Sequence, residues 1–116
     1  MKHARMLAST AAVSLLLNAA ALADTDKKTE RLWKAKCSSC HGPGGQADTT
    51  PGKQMKIVDM TTAAFQAQKD DELKNAILSG VKKEKGGVKQ EMDAFKGELT
   101  PEQVDSLIAL IRSFKK

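Results

Sequence analysis

Tyrosine is absent from this 116-residue chain, and its aromatic side chains are one tryptophan (Trp33) and three phenylalanines (Phe65, Phe95 and Phe114). So little aromatic bulk excludes a core of stacked rings, and something else must fill the interior of so small a domain. Cysteine is nearly as scarce. Cys37 and Cys40 are the only two, too few for the multi-bridge framework of a small secreted domain. Histidine occurs twice, at His3 and His41. No internal repeat or low-complexity tract is visible, and no segment shows the period-two alternation of a strand.

A long hydrophobic run is also missing. Met6 to Ala21 is apolar or small except for Ser9, Thr10, Ser14 and Asn18, and its strongly apolar core is short for a span of about 20 residues. Lys2, His3 and Arg5 precede it, Ala21-Leu22-Ala23 follows in the A-x-A pattern of a cleavage site, and charge begins at Asp24. This predicts a secretory signal peptide over 1–23, an uncleaved anchor being the rival reading. No cysteine follows the apolar run closely enough for a lipid anchor. Cleavage removes Lys2 and Arg5 and no acid, which lowers the formal charge from +5 to +3. With no basic stripe interleaved with aromatics, nucleic-acid binding is not expected. The expectation is one mature domain over 24–116, exported to the periplasm, without stable membrane insertion after cleavage.

The mature segment reads as helices joined by loops. Asp24 to Lys36 is a first helix with Asp26 as N-cap, and Gly42-Pro43-Gly44-Gly45 ends any helical run. Gln46 to Lys56 is a polar loop containing Pro51-Gly52. A short helix is expected within 59–68, opened by Thr61 or Thr62. Asp70 to Ser79 is a firmer helix: acids open it, Leu73, Ala76 and Ile77 share a face, and Gly80 suits its C-terminal cap. Val81 to Glu91, charged and carrying Gly86-Gly87, reads as a loop. The last helix has Thr100 as N-cap, Pro101 at its first position, Gln103 for a capping box and a Leu99–Val104 staple. Its stripe is Val104, Leu107, Ile108 and Ile111, extended by Leu110 and Phe114.

The chemistry concentrates at Cys37-Ser38-Ser39-Cys40-His41. Residues three and four apart share a helix face, so two thiols and an imidazole can meet one side of a porphyrin. Cys-x-x-Cys-His is the attachment signal of a covalent c-type haem. A disulfide across two residues would stabilise little by chain entropy. A zinc site needs four ligands, and the mature chain has three Cys and His residues. A thioredoxin-like dithiol belongs near a βαβ unit, and no strand precedes this one. His41 is the mature chain's only histidine, so a second axial histidine from the same chain is excluded. Methionine is the remaining soft ligand. Met55, Met60 and Met92 are candidates; Met92 stands out, following a glycine-bearing loop and flanked by Glu91 and Asp93.

These residues resemble the class I bacterial cytochromes c, the small single-haem type. Leu32-Trp33-Lys34-Ala35-Lys36-Cys37-Ser38-Ser39-Cys40-His41-Gly42 is similar to the family's attachment segment, Met92 to Leu99 to its ligand-methionine segment, and Leu107 to Phe114 to its last helix. The resemblance implies an all-α cytochrome c fold: three to four short helices with long loops around one covalent haem, the first and last helices packed crosswise and Trp33 against the last. It implies thioethers at Cys37 and Cys40 and axial ligands His41 and Met92. Pro51 falls where the family has a proline whose carbonyl accepts a hydrogen bond from the axial histidine, which would fix its tautomer. Asp93 replaces a frequent proline, and its carboxylate favours the ferric state. Thr29 replaces a frequent glycine at the helix crossing, and Leu110 a frequent aromatic.

The function expected is therefore single-electron transfer between a donor and an acceptor redox protein by a monomer that is not itself an enzyme. Lys34, Lys36, Lys82, Lys83, Lys85 and Lys89 are placed to steer partners with acidic docking surfaces. The alternative is a ligand-binding or sensing haem protein whose methionine ligand is absent or displaceable.

Overall fold

The computed structural model describes residues 26–116, so the expected signal peptide over 1–23 lies outside the described residues. The chain is mainly helical. In order come α1 (26–36), α2 (Ser38–His41), α3 (Thr50–Gln54), α4 (Ala63–Gln66), α5 (Asp70–Ser79), a hairpin of β1 (Val81–Lys85) and β2 (Val88–Met92), and α6 (Pro101–Ser113). No helix among the described residues is long and apolar enough to cross a membrane.

The two longest interior predictions hold because their ends are encoded locally. Asp70, Asp71 and Glu72 fill the first turn of α5, where negative charge meets the helix dipole. Gly80 closes it at φ 75°, its N–H bonded to the Ala76 carbonyl. In α6 the Thr100 hydroxyl accepts from Gln103 N–H and the Gln103 side chain accepts from Thr100 N–H, a complete capping box. Thr62 caps α4 by accepting from Phe65 N–H. Asp26 lies within α1 rather than at its cap.

Two segments expected as loop are ordered otherwise. Thr49 accepts from Gly52 N–H and Pro51 stands in the first turn, so 50–54 winds into α3. Val81 to Met92 forms an antiparallel hairpin. Gly86 and Gly87 both have positive φ, 57° and 77°, as the tightest two-residue hairpin turn requires. The strands show no apolar alternation because one face carries only charge. Lys82 stands opposite Glu91 and Glu84 opposite Lys89, so that face balances its own charges. The other face holds Val81, Lys83, Lys85, Val88, Gln90 and Met92, of which Val81, Val88, Gln90 and Met92 are half-buried.

The core gathers Trp33 from α1, Met60 and Phe65, Leu73 and Ile77 from α5, Leu99, and Val104, Leu107, Ile108 and Ile111 from α6. Trp33 meets Phe114 edge to face, ring centres 5.1 Å apart, which packs the first helix against the end of the last. Thr29 is itself buried. Arg112 fastens α6 to the α4–α5 link: it donates to the Asp70 carboxylate at 2.7 Å and 3.1 Å, to the Gln66 carbonyl at 3.0 Å and to the Gln68 carbonyl. Gln66 completes the tie by donating to the Met60 and Ile111 carbonyls.

Candidate functional site

Cys37 interrupts a nearly continuous helical path. Its N–H bonds to Trp33 O at 2.8 Å, and its carbonyl accepts from His41 N–H at 2.9 Å. Cys37, at the N-cap of α2, thus shares a single turn with Cys40 and His41 inside it, and both thiols are free and half-buried. Burial pushes the Cys37 thiol up to about 11, with Lys36 pulling weakly the other way. A dithiol redox site depends on the opposite, a lowered thiol pKa.

A helix of four residues ends with carbonyls that need partners, and three in succession, on Cys40, His41 and Gly42, receive particular donors. The Thr49 hydroxyl donates to Cys40 O at 2.6 Å. Ala47 N–H donates to His41 O at 2.8 Å. The Trp33 indole N–H donates to Gly42 O at 3.0 Å, within the core. Gly52 lies so close that a Cβ there would sit 2.5 Å from Ala47 O and 2.7 Å from Cys40 O. The α3 segment is therefore built directly onto the attachment turn. Thr49, Ala47 and Gly52 had no place in the sequence-based site. The one available signal was Thr49-Thr50-Pro51, a cap followed by a first-turn proline.

His41 is half-buried, its ring centre 5.9 Å from that of Trp33. Burial lowers its pKa, which favours the neutral imidazole that can ligate a metal. Its Nδ1 is buried without a hydrogen-bond partner. The bond expected from His41 to the Pro51 carbonyl is not formed in this structure. That carbonyl accepts from Met55 N–H at 2.9 Å, as the turn of α3 dictates.

Met92 ends β2, half-buried against the core cluster. The chain at 92–94 passes directly over Gly80, where a Cβ would lie 2.6 Å from Met92 O. Phe95 and Lys96 N–H groups then bond to Ile77 O and Leu78 O, at 3.0 and 3.1 Å. Met60 is a core residue, 7% exposed, with its N–H on Gly45 O. Met55 is half-buried at the end of α3. Among the described residues, no three or more His, Cys, Asp or Glu side chains cluster to hold a metal ion. The residues present do fit a haem: two free thiols and a neutral imidazole on one helical turn.

The comparisons with known proteins point to one family. A family model described as cytochrome c matches residues 27–115. The solved structure of the KustC0563 c-type cytochrome is similar to this chain, with 30% identity and a TM-score of 0.62 over 76% of this chain and 98% of that one. The search of curated proteins found no match.

Proposed function

This chain belongs to the cytochrome c family, which implies a covalently held haem c and electron carriage, and on that premise we propose that it is a periplasmic carrier with one haem ligated by His41 and Met92. The observation that supports the reading best is the attachment turn: Cys37, Cys40 and His41 on one short helix, both thiols free. When bound, the haem supplies one-electron exchange at its iron. The chain's task is to hold and enclose it. Cys37 and Cys40 would hold it as thioethers, the sulfur and hydrogen of each thiol adding across one of its vinyl groups. His41, neutral through burial, would offer a nitrogen to the iron, and Met92 would offer a thioether sulfur that favours the ferrous state. Neither redox state then needs a ligand exchange, as suits a carrier rather than an enzyme.

A redox-resolved absorption spectrum of the exported protein, with carbon monoxide added, tests this. The expected result is a low-spin spectrum in both states and slow carbon monoxide binding by the ferrous form. Rapid binding would favour the ligand-sensing reading.

The partners we propose are redox proteins with acidic docking surfaces. Lys82, Lys83, Lys85 and Lys89 all stand exposed on the hairpin that ends at Met92. Association with such a partner is expected to slow steeply as salt is added. Stopped-flow rates that stay flat between low and physiological ionic strength would remove the steering role.

A further inference from the structure

Gln90 is uncharged among lysines and glutamates, and half-buried where its neighbours Lys89 and Glu91 are exposed. Its side-chain Nε2 donates to two backbone carbonyls, Met55 O at 2.8 Å and Lys56 O at 2.9 Å. Those carbonyls lie just past the end of α3. Lys56 holds a left-handed backbone, φ 52°, a conformation that costs a residue with a side chain and persists where neighbours fix it. The hairpin turn lies near as well: a Cβ on Gly86 would come 3.2 Å from the Lys56 amine.

These contacts make one mechanical line. The attachment turn is joined to α3 through Thr49 and the close packing of Gly52 on Cys40 O. The chain just past α3 is joined to β2 through Gln90. Gln90 and Met92 are two residues apart, on one face of that strand. We infer that Gln90 is a positioning residue: it fastens the strand bearing Met92 to the element built on the haem-attachment turn, and so keeps the methionine on the iron. The inference rests on the His41 and Met92 reading of the axial ligands and names what holds that pair closed.

The test uses holoproteins, which remain obtainable because Cys37 and Cys40 are untouched. Gln90→Leu removes the donor. Gln90→Glu keeps the shape and regains a donor only when its carboxyl is protonated. Glu84→Gln changes the same hairpin on its other face, away from the two carbonyls. The readouts are the far-red sulfur-to-iron band of the ferric protein and the rate of carbon monoxide binding by the ferrous protein. Gln90→Leu is expected to weaken the band and raise the rate about tenfold, the effect of losing two ordinary hydrogen bonds. Gln90→Glu should behave likewise at neutral pH and recover the band on acidification, with Glu84→Gln unchanged. A native protein without the band overturns the axial-ligand reading and the inference with it. A native band that Gln90→Leu leaves intact, or that Glu84→Gln weakens equally, overturns the inference alone.

Discussion

With His41 replaced by alanine, the exported chain is expected to accumulate with little covalent haem and no normal low-spin spectrum. Loss of a mere supporting partner of a metal ligand costs about 10–100-fold in affinity or activity, so loss of the ligand should reach at least the upper end. Three features converge on this side chain. Its backbone carbonyl is held by Ala47 N–H, its ring is packed near Trp33, and its backbone N–H closes the turn on Cys37 O. The attachment turn is thereby formed with the imidazole already in place. The fold should suffer with the cofactor, because so small a domain with few aromatics has little else to bury. The measurement is haem staining after denaturing electrophoresis, paired with thermal unfolding followed by circular dichroism. Normal haem content and a native ferric spectrum in His41→Ala would refute the assignment. Sharp cooperative unfolding of a haem-free chain would refute the dependence of the fold.

Met92→Ala is the second large effect. On the proposed ligation it should leave attachment intact and open one side of the iron. The ferrous protein should bind carbon monoxide rapidly, and the reduction potential should fall. Thioether ligation favours ferrous iron, and a fall of about 120 mV would correspond to a hundredfold shift in the one-electron equilibrium, at about 59 mV per decade. Potentiometric titration and carbon monoxide mixing give the two numbers. An unchanged ferric spectrum would move the ligand to Met55 or Met60. Met60 is the harder case, since it is sealed in the core with its backbone tied to Gly45.

Helices with both ends encoded in neighbouring residues were legible in the sequence. The bounds of α5 and the capping box of α6 follow from side chains within four positions of each terminus. The hairpin was not legible, for a physical reason. Its stabilising pairs, Lys82 with Glu91 and Glu84 with Lys89, are five to nine residues apart and become pairs only once the register is known. Gly86-Gly87 carried the missing information, since two adjacent residues of positive φ make a turn as readily as a flexible link. At the site, the residues proposed to meet a haem were named from spacing and resemblance. The residues that brace them could not. Thr49, Gly52 and Gln90 act through backbone carbonyls, and carbonyls leave no mark on residue type. The Pro51 carbonyl accepts from Met55 N–H within α3 and keeps a second lone pair with which it can accept from His41.

Trp33 was described as a packing residue, edge to face with Phe114 and bonded to Gly42 O. It is also the chain's only tryptophan. The protein therefore has a single indole emitter, set between the first helix, the last helix and the imidazole of the attachment turn. A porphyrin held at Cys37, four residues along the chain, would accept its excitation even with the helices apart, since four residues span at most about 14 Å, so emission from this protein would report one population alone: the chain that carries no haem.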